Sequence, residues 1–205
     1  MQSRGKLIVL EGLDGAGTTT QMKRIAKRLE SEGKKVFITH EPTDNPIGLL
    51  VRSVLQKKIS TTPLSLALLY ASDREDHLNN EEYGINKYLD EGYFVISDRY
   101  FYSSIAYQSV DCNPSFIKEI NSTFPHADIL IFIDTPTDDC MDRIDKRGEE
   151  KELFEKSSFL EKVRKNYLNV IEELPESVKL VNIDGRKTID EIEEEIWKYL
   201  SSTLL

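Results

Sequence analysis

The chain alternates short apolar runs with longer stretches in which apolar residues recur every three or four positions. Leu7-Ile8-Val9-Leu10 is wholly apolar and reads as a buried strand. Met22, Ile25, Ala26 and Leu29 then fall on one face of a helix. Residues 35–40 form a second short strand, and residues 41–46, rich in proline and turn formers, form a loop. Residues 47–55 carry a helical pattern. Thr61-Thr62-Pro63 opens another helix, with proline tolerated in its first turn, running through Leu66, Leu69, Tyr70, Asp73, Arg74 and His77. A further helix closes at Glu91-Gly92, and residues 93–97 are a strand with Asp98-Arg99-Tyr100 at its C-terminal end. Helices are predicted from about Ser103 and over residues 114–123. Residues 128–134 are nearly all apolar, as a central parallel strand requires. Thr137 or Asp138 is expected to cap a helix that ends at Arg147-Gly148. Residues 149–156 are dense in charge, lack an apolar period and read as a mobile surface segment. Phe159, Val163, Tyr167, Val170 and Ile171 mark a long helix, residues 178–183 a last strand and residues 189–200 a last helix.

Strands alternating with helices predict an α/β architecture, a parallel sheet of about five strands covered by helices on both faces. In such sheets ligands gather beyond the C-terminal ends of the strands. Glu11 to Gly17, Glu41-Pro42, Asp98-Arg99, Asp134 and Asp184 are therefore expected along one edge. At 205 residues, without repeats or a linker, the chain suits one domain spanning 1–205. A net charge of -9 argues against nucleic acid as a partner, though a cleft can still gather positive charge for a small phosphate ester. No run is long and apolar enough to span a membrane, and the N-terminus has no secretory apolar region. Cys112 and Cys140 lack metal-ligand spacing, so a reducing, cytoplasmic setting is expected. The charged fraction of 31% exceeds the usual share, a weak pointer to heat adaptation.

The chemistry centres on Glu11-Gly12-Leu13-Asp14-Gly15-Ala16-Gly17-Thr18-Thr19-Thr20-Gln21, set between strand and helix. That is the context of a phosphate-binding loop, whose glycines let backbone N–H groups converge on a polyphosphate at a helix N-terminus. Gly12 and Gly17 fit the pattern G-x-x-x-x-G-K-[ST], and Thr19 stands where a hydroxyl would meet Mg²⁺. The lysine position holds Thr18, so the cradle keeps its backbone but lacks one positive charge. A glycine-rich turn without a ligand is the competing reading. Asp98 offers a carboxylate for Mg²⁺ and Arg99 a guanidinium for an acceptor phosphate, or the two form a structural ion pair.

The loop resembles the thymidylate kinase sequence EGxDGxGKTTQ at every fixed position except the lysine. Leu68 to Arg74 resembles the LLFxADR segment of that family, and Asp98 to Gln108 its DRYxxSSxAYQ segment. Arg143-Ile144-Asp145-Lys146-Arg147-Gly148-Glu149 resembles its lid, RxxxRGE, and Ile183-Asp184-Gly185 its adenine-side ending. The resemblance implies a three-layer P-loop kinase fold with a short lid over about residues 143–157. It also implies transfer of the ATP γ-phosphate to dTMP, with Mg²⁺ carried by ATP, usually in a homodimer. Carried over by position, ATP would lie on Gly12, Leu13, Asp14, Gly15, Ala16, Gly17, Thr18, Thr19 and Thr20, with Arg143 and Gly185. Asp14, Arg99, Arg143 and Arg147 would be catalytic, and Thr19 and Asp98 would hold the metal. For dTMP, Arg99 and Arg52 would take the phosphate, Tyr70 would stack on thymine where the family usually has Phe, and Arg74 would donate to O4. Ser104 and Gln108 would read the N3 and O4 edge, Tyr107 would crowd the 2′ carbon, and Asp14 would meet the 3′-hydroxyl, with Glu41 and Pro42 close by.

Each of these has a plain structural alternative: Tyr70 as core, Arg52 as surface, Ser104 as a helix start. His40 stands where the family pattern often has Arg, and so clamps a phosphate less firmly near pH 7. One or more of Arg143, Lys146, Arg147 and Lys151 are expected to close over the phosphates and supply the charge that Thr18 lacks. Three functions follow: a dTMP kinase, a related kinase for dUMP or a deoxynucleoside, or a nucleotide binder with weak or lost catalysis.

Overall fold

The computed structural model describes residues 4–148 and 152–204. Its strands are β1 (Lys6–Gly12), β2 (Val36–His40), β3 (Phe94–Asp98), β4 (Ile129–Asp134) and β5 (Lys179–Asp184). They form one parallel sheet in the order β2-β3-β1-β4-β5. The intervening helices are α1 (Thr18–Ser31), α2 (Pro46–Leu55), α3 (Pro63–Asn79), α4 (Ile85–Asp90) and α5 (Phe101–Gln108). They continue as α6 (Pro114–Asn121), α7 (Thr137–Arg147), α8 (Ser157–Glu172) and α9 (Ile189–Leu204).

Side-chain alternation along β1 sends its residues to two cores. Ile8 and Leu10 pack with Ile25 and Leu29 of α1 and Ile196 and Leu200 of α9. Leu7 and Val9 pack with Leu78 of α3 and Ile85 and Leu89 of α4. Burial on both faces explains why β1 is an unbroken apolar run. A smaller cluster joins Val51, Val54 and Leu55 of α2 to Leu66 of α3, with Leu153 and Phe154 packed against it. The strand order reverses at β1, so the loop after β1 opens onto the crevice where such sheets bind ligands. No helix is long and apolar enough to cross a membrane among the described residues.

Two local expectations are corrected. Neither Thr137 nor Asp138 caps α7: the N-cap is Pro136, which makes no side-chain cap, and Thr137 is already helical. Proline's fixed φ suits the turn out of β4, while Asp138 and Asp139 face the helix dipole in the first turn. The charge-dense segment is not a loose surface stretch over residues 152–156. The Leu153 N–H donates to Leu55 O at 3.0 Å, and Phe154 stacks on Phe159 with ring centroids 4.8 Å apart. Glu155 is buried and pairs with Arg147. Its charged residues masked two apolar anchors. The remainder of that segment, 149–151, lies outside the described residues.

One buried polar tie runs across these layers. The Glu11 carboxylate, at the end of β1, accepts from the Tyr100 and Ser103 N–H groups at 2.9 and 3.2 Å. It also accepts from Ser103 Oγ at 2.5 Å and from Tyr167 Oη of α8 at 2.7 Å. Burial pushes its carboxyl up to about 7, against the opposing pull of Arg99 and its hydroxyl donors.

Two outcomes are expected. Gly185 sits so close to β4 that an added Cβ would stand 1.8 Å from Thr135 Oγ1 and 2.9 Å from its Cβ. Gly185→Ala should therefore lose about 1–3 kcal/mol in urea denaturation, as overpacked sites do; an unchanged midpoint would contradict the packing. The second concerns pH. A folded Glu11 near 7 against an ordinary 4.5 means that the folded state keeps a proton that the unfolded state releases. The Glu11 contribution to stability is then fullest below 4.5 and declines as pH rises to about 7, by on the order of 3 kcal/mol. The stability of the native chain relative to Glu11→Gln should fall over that range; a constant difference would contradict the buried, raised carboxyl.

Candidate active site

A cleft of about 730 Å³ opens along the C-terminal ends of β1, β2 and β3. Of the residues singled out from the sequence, it is lined by Leu13 through Gln21, Glu41, Pro42, Arg52, Tyr70, Arg74, Asp98, Arg99, Ser104, Tyr107, Gln108, Arg143 and Arg147. Gly12 and Gly185 stand behind that lining, Gly12 against Ile133 O and Gly185 against Thr135. Asp134 and Asp184 end their strands in register but turn to other work, Asp134 pairing with Arg164 and Asp184 with Arg186.

At one end lies the glycine loop. Gly15 and Gly17 have φ of 85° and 96°, a left-handed conformation that glycine adopts without a Cβ penalty. Gly15 also faces α7 so closely that a Cβ would meet Cys140 O at 2.7 Å. The loop delivers the chain into α1, whose first-turn N–H groups have no helical acceptor. Arg143 grips the loop from outside: Nη1 donates to Gly15 O and Ala16 O at 3.3 Å, and Nη2 to Gly185 O at 2.8 Å. Arg147 lines the cleft and pairs with Glu155, whereas Lys146 is exposed and outside the lining. Lys151 lies outside the described residues.

Asp98 and Thr19 meet beside this loop. Thr19 Oγ1 donates to Asp98 Oδ2, while Asp98 Oδ1 is buried without a hydrogen-bond partner among the described residues. A free carboxylate oxygen next to a hydroxyl, at a phosphate cradle, is an oxygen donor set that fits Mg²⁺.

The other end is built around two arginines. Arg99 has φ of 73°, which for a side chain with a Cβ costs about 1–2 kcal/mol. Its Nη2 donates to Asp14 Oδ1 at 2.6 Å, and its guanidinium lies 5.1 Å from the Tyr107 ring. Its Nη1 donates to Ser103 Oγ at 3.1 Å and to Tyr167 Oη at 3.3 Å. Burial alone would lower its pKa, but Tyr107 and Asp14 outweigh that and raise it, so the charge is permanent. Tyr107 Oη accepts from the Asp14 N–H at 3.0 Å, which ties this end to the glycine loop.

Arg74 is 1% exposed and fixed on every side. It donates to Glu41 Oε2 at 2.8 Å, to Asn121 Oδ1 at 2.6 Å and to Ser104 Oγ at 2.9 Å. The Glu41 carboxylate holds Arg74 and His77. Burial would raise it, but Arg74 and His77 hold it below the usual carboxylate range. His77 is itself set by Thr39 Oγ1 at 2.6 Å. Arg52 donates to Pro42 O at 2.8 Å and lies 3.5 Å from Asp44, while His40 faces Asp44 at 3.3 Å. Tyr70 is half-buried in the lining, and Gln108 Oε1 is buried without a partner among the described residues.

Sequence reasoning placed Glu11 at the start of the loop without giving it a role, and missed His77, Ser103, Asn121 and Tyr167 as parts of the site. Glu11 had a visible signal, a charge at the end of an apolar strand, which must be paired when buried. Tyr167 had a fainter one, a phenol within a buried helical stripe, whose O–H needs a partner. Asn121 and His77 carried none, because their partners lie on other elements.

The thymidylate kinase family model matches residues 10–196. A protein of Treponema pallidum named as a thymidylate kinase is 39% identical over 196 residues, covering 94% of this chain and 93% of its own. One of Pyrococcus horikoshii with the same name is 39% identical over 210 residues, covering 98% of both. The solved thymidylate kinase of Candida albicans superposes with a TM-score of 0.78 at 26% identity, over 98% of this chain and 93% of that one. A matched span from the end of β1 into α9, with relatives of equal length, means that the chain belongs to the thymidylate kinase family.

Proposed function

We propose that the protein transfers the γ-phosphate of ATP to the 5′-phosphate of dTMP, giving dTDP and ADP. The observation that carries this reading is the Asp14–Arg99 pair, 2.6 Å apart, which joins a phosphate cradle to an acceptor pocket. Phosphoryl transfer is mostly positioning and neutralisation of charge, so two phosphates must be brought together between fixed cations. Donor phosphates would lie on the backbone of Gly15 through Thr19. The acceptor phosphate would lie between Arg99 and Arg52, Arg52 exchanging its hold on Pro42 and Asp44 for the ligand. Thymine would enter toward Tyr70, Arg74 and Gln108. Arg74, locked by Glu41 and Asn121, presents a fixed donor there, which favours a carbonyl edge. Thr19 and Asp98 would hold Mg²⁺ arriving with ATP, and that ion neutralises phosphate charge.

The charge absent at Thr18 is assigned to Arg147. Both Arg143 and Arg147 line the cleft, but Arg143 is already spent on loop carbonyls, whereas Arg147 is held by Glu155 and by no other carboxylate among the described residues. The lid would hand Arg147 from Glu155 to the phosphates and exclude water. The protein is read as one domain acting in the cytoplasm, with a lid over residues 143–157. Leu49 and Leu50 of α2 and Leu64 and Leu68 of α3 are exposed apolar residues, and they support a homodimer joined through these helices.

ADP release should be measured with Mg·ATP and each of dTMP, dUMP, thymidine and dCMP. Turnover is expected to be fastest with dTMP. A faster rate with thymidine would overturn the role of Arg99 and Arg52 as phosphate holders. Arg147→Ala should lower kcat about 10²–10³-fold, the usual effect of losing one transition-state stabiliser, with the KM for dTMP within about threefold. An unchanged kcat would return the missing charge to another group.

A further inference from the structure

Glu11 is the most completely enclosed carboxylate of the site, 0% exposed, yet it does not line the cleft. Its four donors come from two places that also govern Arg99. Tyr100, whose N–H it accepts, is the residue immediately after Arg99. Ser103 and Tyr167, whose hydroxyls it accepts, are the same two hydroxyls that receive Arg99 Nη1.

The backbone side comes first. Arg99 holds a left-handed φ of 73°, and such residues persist only where their surroundings over-determine them. Three bonds do so here. The Arg99 N–H donates to Leu10 O at 2.9 Å, Ser97 Oγ donates to Arg99 O at 2.7 Å, and the Tyr100 N–H donates to Glu11 Oε1 at 2.9 Å. Only the last is made by a side chain from another strand, Glu11 of β1. Its loss would leave a buried N–H unpaired at the bend.

The guanidinium side follows from the donor inventory. Ionised Glu11 only accepts, and the two hydroxyls that meet Oε2 lie 2.8 Å from each other, so at least one of them points its proton at the carboxylate and the proton directions of all three groups are set together. Both hydroxyl oxygens also accept from Arg99 Nη1, at 3.1 and 3.3 Å. Glu11 thus sets this hydroxyl network, and the network fixes one edge of the guanidinium. The other edge is left to Asp14 and to the cleft.

We propose that Glu11 is a positioning residue for acceptor binding: acting through Tyr100, Ser103 and Tyr167, it holds Arg99 in its strained turn and aims the guanidinium at the acceptor phosphate. The inference rests on the reading of Arg99 as the acceptor-phosphate holder. Tyr167 shares the role from α8, more than sixty residues away in sequence.

The test is a double-mutant cycle on dTMP binding, measured by calorimetry for the native chain, Glu11→Gln, Arg99→Lys and the pair. Glutamine keeps the shape but replaces one carboxylate oxygen, an acceptor in this network, with an N–H₂. Glu11→Gln should weaken dTMP about tenfold, the scale of one lost charge-assisted bond, and leave ATP affinity within about twofold. In the Arg99→Lys background the same change should have little further effect, because residues acting through one another are not additive. A full tenfold loss in both backgrounds, or native affinity in Glu11→Gln, would overturn the proposal. If Glu11→Gln does not fold, Tyr167→Phe takes its place in the cycle, with a loss of about threefold expected.

A second measurement needs no nucleotide and separates this inference from the dTMP reading. In the free protein, Glu11→Gln (or Tyr167→Phe for the Ser103 amide) should speed hydrogen exchange at the Tyr100 and Ser103 amides about tenfold, while β4 amides keep their rates. Native protection at both amides would overturn the positioning role, whatever dTMP does. Failure of the native chain to bind dTMP, with the exchange result intact, would instead overturn only the assigned acceptor.

Discussion

The buried Glu11 carboxylate ties the central strand to two helices that lie far from it in sequence. It meets the start of α5 through Tyr100 and Ser103 and the middle of α8 through Tyr167. A carboxyl group enclosed this fully is tolerated only when its oxygens are hydrogen-bonded. That requirement fixes how α5 leaves β3, and so fixes the strained turn at Arg99. The glycine loop begins one residue after the same carboxylate. The two ends of the cleft are therefore set from one point, and Asp14 and Tyr107 close the frame between them.

Around that frame, most cations of the cleft already have partners. Arg74 is locked by Glu41, Arg99 by Asp14, Arg147 by Glu155, and Arg52 by a carbonyl and Asp44. These pairs differ in what they can do. The Arg74–Glu41 pair is enclosed and has two further neutral partners, so it is a fixed recognition surface. Arg52 and Arg147 are each about a third to a half exposed, so their bonds are worth little against water and can be exchanged for a phosphate. The separation of fixed from exchangeable cations matches a site that must recognise a base rigidly and release phosphates at each turnover.

The periodic elements were legible because their cores follow simple rules. β1 and β4 announced themselves as apolar runs, and α1 by Met22, Ile25 and Leu29 on one face. Strand polarity alone brought Glu11, Glu41 and Asp98 to one edge. Pairings across the sheet were not legible. Glu41 reads as a cleft carboxylate in sequence, yet its oxygens serve Arg74 and His77, because α3 supplies both partners to it. Asp134 does end β4 at that edge, but its carboxylate holds Arg164 of α8, which no local pattern links to it. Residues 152–156 looked solvated because charges outnumber Leu153 and Phe154, although those two anchor the segment to α2 and α8. Sequence spacing reports which face a residue takes on its own element; it is silent about which neighbour that face meets.

In the proposed function one cleft holds donor and acceptor nucleotides together, divided at the Asp14–Arg99 pair. Calorimetric titration of dTMP, with and without a saturating, non-hydrolysable Mg·ATP analogue, tests it most directly. Two sites side by side predict that dTMP still binds at one equivalent, with an affinity within a few-fold of that in the free protein. Competition, in which the analogue drives dTMP out, would mean that both nucleotides claim the same subsite and would contradict the division of the cleft.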